Sequence, residues 1–204
     1  MLPRTAKIII SILLSLASAV LLLVFKGKER RQCMLAMILC TVGDLFMVDA
    51  FRMGDSSTYP GAAFFMLGHV VYGLCFLKAS KRKGYLFRNQ GFWAGGIFVA
   101  ASAVLLGVLA FAIPEKPQTV MYFLILIYLA VIGFNLSAQF SYAFSEKGSR
   151  WMLAAAMSLF LISDFVIFLN MLDITPAHND FVWATYIPAQ ALILLFNQDL
   201  KHEQ

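Results

Sequence analysis

Long apolar stretches separated by short polar segments make up most of this chain. Seven such stretches fall at residues 8–25, 33–51, 60–77, 91–113, 118–144, 151–172 and 180–197. A helix needs roughly 20 predominantly apolar residues to cross the roughly 30 Å hydrocarbon layer of a bilayer, and stretches of about 18 residues are candidates. The pattern therefore predicts an all-α polytopic transmembrane bundle of seven spans, with residues 1–204 forming a single integral-membrane domain.

The composition supports this assignment. Hydrophobic residues make up 61% of the chain and charged residues 13%, and the mean hydropathy is +0.79. A soluble domain carries nearly twice that proportion of charge. We therefore expect an integral membrane protein that has the lipid bilayer as its surroundings, either in a bacterial inner membrane or in an internal eukaryotic membrane such as the endoplasmic reticulum.

The positive charges predict the orientation of the spans. Most of the 16 lysines and arginines fall in the first, third and fifth loops and the C-terminal tail. The positive-inside rule then places the N-terminus outside and the C-terminus inside. The same distribution accounts for the net charge of +5 without nucleic acid as a partner. The first span resembles a signal peptide, but its apolar run continues past the Ala17-Ser18-Ala19 site into a basic cluster, so we expect it to be retained.

Two aspartates and one histidine lie deep inside predicted spans: Asp44 in the second, His69 in the third and Asp164 in the sixth. An ionisable group at membrane depth costs free energy and marks a functional site by default. At about 1.5 Å per helical residue, these three groups and Gln190 lie about 10 to 15 Å below the outer ends of their spans. The sequence therefore predicts that four spans bring polar groups into one layer.

Two hairpins share this arrangement. Spans two and three, and spans six and seven, each carry an aspartate on the first arm and a polar residue, His69 or Gln190, on the return arm. The predicted orientation points both hairpins the same way, which is the pattern of a parallel internal repeat rather than an inverted one.

Further polar residues accompany these groups at helical spacing. Tyr72 lies three residues after His69, and Tyr186 lies four before Gln190, so each pair shares a helix face. Span five adds a polar stripe of Tyr128, Asn135 and Gln139. Polar residues in spans are more often interhelical hydrogen-bonding groups than catalysts, and that interpretation is favoured for the two amides of the stripe. Solvation at the interface is favoured for Asp49 and Asn170, and a structural pairing of Asp44 with His69 is a further alternative.

The remaining chemistry is limited. Ser163 stands in ISDF, not in the G-x-S-x-G pattern of an activated serine. The cysteines (Cys33, Cys40 and Cys75) form no metal-binding pair and are interpreted as packing residues. His178 and His202 fall in a loop and in the tail, so no cofactor or metal is predicted, although zinc held by His69 and both aspartates stays an alternative. Two carboxylates and an imidazole serve either acid–base catalysis or a proton-coupled transporter of a small molecule or lipid.

Several short motifs resemble one known family. They are Gly43-Asp44, PGAAFFMLGHVVY from Pro60 to Tyr72, Ser163-Asp164, TYIPAQALI from Thr185 to Ile193 and, more weakly, VMYFLILI from Val120. Together they resemble the YhhN-like lysoplasmalogenase family of polytopic membrane proteins, in the order found in that family. The family is usually drawn with eight spans, one more than the sequence predicts here, and Pro188 stands where relatives tend to have another residue.

The resemblance implies hydrolysis of the vinyl-ether bond of a lysoplasmalogen (alkenyl-glycerophosphocholine or alkenyl-glycerophosphoethanolamine) to a fatty aldehyde and a glycerophospho-alcohol. The partner is then a lysophospholipid substrate. One of Asp44 and Asp164 would be the protonated general acid, and the other would be ionised and stabilise the cation. His69 would activate or position water. The expected substrate-binding residues are Tyr72, Tyr186, Gln190, Ser163, Tyr128 and Asn135.

Overall fold

The structure, a computed structural model, describes residues 3–24, 28–82, 90–112, 119–145, 151–172 and 179–199. These residues form seven α-helices, a short 3-10 helix at Gly54–Ser57 and no strand. The α-helices are α1 (Arg4–Val24), α2 (Lys28–Met47), α3 (Thr58–Arg82), α4 (Gln90–Ala112), α5 (Thr119–Ser145), α6 (Trp151–Met171) and α7 (Asn179–Asp199). The predicted all-α architecture is confirmed. The predicted span ends at 25, 113 and 118, together with His178 and His202, lie outside the described residues.

Five of these helices, α1 and α3 to α6, are long and apolar enough to cross a membrane. Helix α2 falls outside this group because it begins with a charged segment and contains Asp44. Helix α7 has a shorter apolar stretch, Asp180–Leu195. The fold is therefore that of a helical membrane protein, whereas the orientation of the spans, the parallel repeat and the single domain stay predictions.

The distribution of side chains is the one expected in lipid. Large apolar side chains are exposed on the outer faces, among them Leu23, Ile97 and Val104. Aspartate, histidine, glutamine and asparagine side chains are instead buried between helices. Because hydrocarbon cannot hydrogen-bond to a polar group, such groups must find their partners inside the bundle.

Five helices enclose this polar interior. Helix α2 packs against α3, α3 against α5, α5 against α6 and α6 against α7, and α7 also touches α2. Helix α1 packs on the outside of α2, and α4 packs on the outside of α5. The inner helices therefore include all those that carry the predicted site residues.

Helix α2 ends at Met47, before the predicted span end at Phe51, because Asp49 adopts a left-handed backbone conformation with φ of 52°. The amides after Met47 fold back onto carbonyls of the last turn, as in a Schellman motif. The Asp49 carboxylate accepts hydrogen bonds from the amides of Met53 at 2.6 Å and Gly54 at 3.0 Å. Asp49 is therefore built into the α2–α3 turn rather than merely solvated at the interface.

Glycines permit a close contact between the backbones of α4 and α5. A Cβ atom added at Gly95 would lie 2.7 Å from the Cα atom of Ser137, and one added at Gly91 would lie 2.5 Å from the carbonyl oxygen of Phe140. In lipid, where no hydrophobic effect drives helices together, such close approach of backbones supplies much of the packing energy.

We expect Gly95→Ala to destabilise the protein by about 1 to 3 kcal/mol, because the new methyl group meets backbone that cannot move aside cheaply. Gly96→Ala is the matched control. Its Cβ would lie 3.8 Å from the nearest atom, the Oγ of Ser137, so only the gain in helix propensity remains. Thermal unfolding in detergent checks both variants, and equal melting temperatures would contradict the packing argument.

Candidate active site

A cavity of about 750 Å³ joins the two predicted carboxylates to the end of the bundle where α2 ends and α7 begins. Asp44 of α2 and Asp164 of α6 both line it, and only 4% and 2% of their surfaces are exposed. The wall also includes Arg4, Lys7, Met47, Val48, Asp49, Thr58, Phe65, Ser163, Ile167, Asn170, Met171, Val182, Trp183 and Tyr186. The sequence-based expectation that both aspartates reach one pocket therefore agrees with the geometry.

Asp44 receives a single side-chain hydrogen bond from α7. The hydroxyl group of Tyr186 donates to its Oδ2 atom at 2.8 Å. Tyr186 in turn accepts a hydrogen bond from Nε2 of Gln190, one helical turn along, also at 2.8 Å. Gln190 is fully buried behind Tyr186, so it orients the tyrosine and does not itself line the cavity.

Asp164 has two donors near the same oxygen. The hydroxyl group of Tyr128 on α5 donates to its Oδ2 atom at 3.3 Å. Nε2 of His69 on α3 also lies 3.3 Å from Oδ2, although the angle of this contact falls short of a full hydrogen bond. Catalytic contacts are often long or poorly aligned before substrate binds. Asp164 therefore faces two potential donors, one of them an imidazole, whereas Asp44 faces one.

A buried chain of hydrogen bonds lies behind His69. Nε2 of Gln139 donates to Oδ1 of Asn135 at 2.7 Å, and Nδ2 of Asn135 lies 2.9 Å from Nδ1 of His69. The sulfur of Met157, an acceptor, lies 3.7 Å from the same Nδ2 atom and fits this orientation of the amide.

The donor-to-acceptor direction of these hydrogen bonds selects one tautomer of the His69 imidazole. Because the Asn135 amide group donates, Nδ1 of His69 must accept and carries no proton, which leaves the proton on Nε2. No other acceptor among the described residues reaches Nε2, so its proton points toward Asp164. His69 is fully buried and is not part of the cavity wall. It is placed to hold Asp164.

The return arm of each hairpin contacts the aspartate of the other hairpin. His69, on the return arm of the α2–α3 hairpin, contacts the aspartate of the α6–α7 hairpin. Tyr186, on the return arm of the second hairpin, bonds to the aspartate of the first. The alternative of a structural pair between Asp44 and His69 is therefore wrong, because His69 contacts Asp164.

Aromatic rings hold these groups in place. The His69 ring meets Phe160 edge-on at 4.6 Å between centroids. Phe160 meets Tyr186 at 5.1 Å, and Tyr186 meets Phe65 at 6.1 Å, both edge-on. Edge-to-face contacts of this kind restrict ring rotation. The imidazole and the phenol are therefore fixed relative to both carboxylates.

The other predicted substrate-binding residues divide into two groups. Ser163 and Tyr186 line the cavity, and Tyr128 lines a narrow apolar crevice that reaches Asp164 from between α5 and α6. Tyr72 and Asn135, like Gln190, are fully buried and not part of the cavity wall, and the Tyr72 hydroxyl group has no hydrogen-bond partner among the described residues. Helical spacing correctly pairs Tyr186 with Gln190, but Tyr72 lies one turn further from the cavity than His69.

Several residues of the cavity wall are not predicted from the sequence. Among them are Arg4 and Lys7 of α1 and Trp183 of α7. The ammonium group of Lys7 lies 5.9 Å from the centroid of the Trp183 ring. A positive charge three residues after another at the start of a span was the available signal, but the proximity of α1 to α7 was not visible in the sequence.

The described residues include no group of three histidine, cysteine, aspartate or glutamate side chains arranged to hold a metal ion. Ser163 Oγ donates to the carbonyl oxygen of Val182 at 3.4 Å, not to a base. The arrangement supplies two carboxylates with different hydrogen-bond partners, which is the requirement for an acid and a charge stabiliser in one pocket.

Comparison with known proteins agrees with this picture at the level of family. A family model described as the YhhN family matches residues 4–196, which include every residue named in the site. No match was found among curated proteins or among solved structures.

We expect nitrogen NMR of isotopically labelled histidine to find the His69 proton on Nε2, because the amide chain makes Nδ1 an acceptor. Asn135→Asp places an acceptor against Nδ1 and should bring a proton to that nitrogen. Ser102→Ala is the control, because this side chain bonds within α4 to Phe98 and should leave the His69 signals unchanged. His178→Gln and His202→Gln assign the spectrum, and a protonated Nδ1 in the unsubstituted protein would refute the chain.

Proposed function

The chain belongs to the YhhN family, and from that premise we propose that it is a lysoplasmalogenase-type hydrolase, which cleaves the vinyl-ether bond of an alkenyl lysophospholipid by carboxylate acid–base chemistry. The observation that carries the proposal is the pair of buried carboxylates on one cavity wall, each with a different set of donors. The products are a fatty aldehyde and a glycerophospho-alcohol.

The donor sets suggest which carboxylate holds the proton. Two nearly fully buried carboxylates on one cavity wall disfavour simultaneous ionisation. Asp164 faces both Tyr128 and His69, whereas Asp44 receives one side-chain hydrogen bond, from Tyr186. The charge is better stabilised on Asp164, so the proton resides on Asp44. Asp44 is then the general acid, and Asp164 is the stabiliser of positive charge.

The reaction begins with transfer of the Asp44 proton to the alkenyl carbon that is not bonded to oxygen. The resulting oxocarbenium ion is stabilised by the negative charge of Asp164, which needs no reorganisation when that charge is held in advance. His69 and Tyr128 act through Asp164: they fix its orientation and its ionised form. His69 is thus a positioning residue rather than the group that touches water.

Water then adds to the cation, and its proton returns to Asp44. The hemiacetal so formed collapses: Asp164 takes the hydroxyl proton, and Asp44 protonates the departing glycerol oxygen. Transfer of the proton from Asp164 back to Asp44 restores the starting state. This sequence needs only an acid, a base and water, which accords with the donation of the Ser163 hydroxyl group to a backbone carbonyl.

We expect Asp44→Asn and Asp164→Asn each to lower aldehyde release from a lysoplasmalogen in detergent by about 100-fold or more, because each removes a group that acts in the transition state. Ser102→Ala, on the outer helix α4, should retain full activity. Near-normal turnover in both asparagine variants would overturn the assignment. Movement of the lipid across vesicles without bond cleavage would instead favour a transporter.

The chemistry also predicts where isotopes appear. In deuterium oxide, the carbon next to the aldehyde carbonyl should gain one deuterium, because protonation occurs at that carbon. In water enriched in heavy oxygen, the glycerophospho-alcohol should remain unlabelled, because the glycerol carbon–oxygen bond is never broken. Mass spectrometry of both products checks this. Heavy oxygen in the glycerophospho-alcohol would show that another bond is cleaved.

A further inference from the structure

The mouth of the cavity, formed by Arg4, Lys7, Asp49 and Trp183, contains two positive charges that the proposed chemistry does not use. Arg4 and Lys7 lie one helical turn apart on α1 and line the same cavity as Asp44 and Asp164. Charged side chains at the edge of a membrane protein often serve only to anchor it at the interface. These two are distinguished by how they are held.

Arg4 is anchored along one edge of its guanidinium group. Its Nε donates to the carbonyl oxygen of Val48 at 3.0 Å, and its Nη2 donates to the carbonyl oxygen of Asp49 and lies 3.6 Å from the Asp49 carboxylate. Guanidinium carries five donors in a rigid fork. The anchored edge uses Nε and Nη2, so the Nη1 donors remain for an acceptor in the cavity.

Lys7 is mostly buried and forms a long ion pair with Asp180. Only 12% of its side chain is exposed, and its ammonium group lies 3.8 Å from the Asp180 carboxylate, which is beyond hydrogen-bond length. An ammonium group withdrawn from water to this degree is stabilised by an anion that satisfies its donors. Lys7 also lines the cavity, from which a second anion can approach the same ammonium group.

The spacing between the mouth and the carboxylates matches one class of molecule. The carbonyls that anchor Arg4 belong to Val48 and Asp49, just past the end of α2 at Met47. They lie four and five residues beyond Asp44, which is about 6 to 7.5 Å along the axis if each residue advances by the helical rise. In a glycerophospholipid the ether oxygen and the phosphorus are separated by five single bonds, or about 6 Å when extended. A vinyl ether at Asp44 therefore brings a phosphate group to the mouth.

We propose that Arg4 and Lys7 bind the phosphate group of the lysophospholipid and so place its ether bond against Asp44 and Asp164. The inference rests on the proposed function for the class of substrate. Charge-assisted hydrogen bonds to phosphate would supply the binding energy.

Binding is tested with lipids that cannot be cleaved, so that the result does not depend on turnover. A short-chain alkyl-glycerophosphocholine and the matching alkylglycerol without phosphate are titrated calorimetrically into the full-length protein in detergent. We expect Arg4→Gln and Lys7→Gln each to weaken binding of the phosphate lipid about 10- to 100-fold and to leave binding of the alkylglycerol unchanged. Lys7→Arg should restore most of the affinity.

Lys28→Gln is the matched control. It removes the same charge at the exposed start of α2, near the opposite end of the bundle from the mouth, and should change neither affinity. Inorganic phosphate at millimolar concentration should not compete with the phosphate lipid, because the lipid chain contributes to binding. Competition would show that the site binds free phosphate rather than a lipid headgroup, and this would overturn the proposal. The proposal would also be overturned if the Arg4 and Lys7 variants lost affinity for both lipids equally, or lost affinity for neither.

The outcome can be separated from that of the proposed function. If the unsubstituted protein releases no aldehyde from any alkenyl lipid, but the two mouth variants still discriminate between the two alkyl lipids, the phosphate site stands and the hydrolase proposal fails. If aldehyde is released and the variants do not discriminate, the hydrolase proposal stands and the phosphate site fails.

Discussion

A carboxylate inside a membrane must receive its hydrogen bonds from neighbouring helices, because lipid tails supply none. In this protein Asp44 meets this requirement through Tyr186 of the other hairpin, and Asp164 meets it through Tyr128 of α5, with His69 of the other hairpin beside it. The exchange joins the hairpins at their most polar point. It also means that loss of either contact leaves a buried polar group without its partner, which costs more than the contact itself contributes. The position of α7 against α2 depends on this constraint more than on apolar packing, since those helices contact each other sparsely.

Some helices mainly face the lipid, and others mainly carry the residues of the site. The outer helices α1 and α4 are among the most apolar and the least buried, whereas α2 and α7 carry polar groups toward the cavity and fall outside the set that is apolar enough to span by composition. Close packing through glycines, as at Gly95 against Ser137, holds α4 against α5. The polar interior can then be specific, because the outer contacts do not compete for its donors. Two buried chains, each beginning at a glutamine, end on the two carboxylates.

The fold could be predicted from sequence further than the site could. Apolar length alone indicated the seven helices, and the rarity of ionisable groups in such stretches singled out Asp44, His69 and Asp164. Which side chain meets which carboxylate could not be predicted, because the exchange depends on the order of helices around the bundle. Periodicity places Tyr72 on the face of His69 but says nothing of how far the cavity extends along that face. Arg4 and Lys7 were missed for the same reason, since their proximity to α7 appears only once α1 is packed.

The asymmetry between the carboxylates follows from the identity of the inner helices. Asp164 is approached by α5 and α3 together, so it meets a phenol and an imidazole, whereas Asp44 is approached by a phenol from α7. A symmetric pair would share a proton equally and would offer neither a committed acid nor a committed anion. Helix α5 lies outside both hairpins, and it supplies Tyr128 and, through Asn135, the orientation of His69. The fifth helix thus contributes to the chemical difference between the two carboxylates, and the proposed acid–base mechanism depends on that difference.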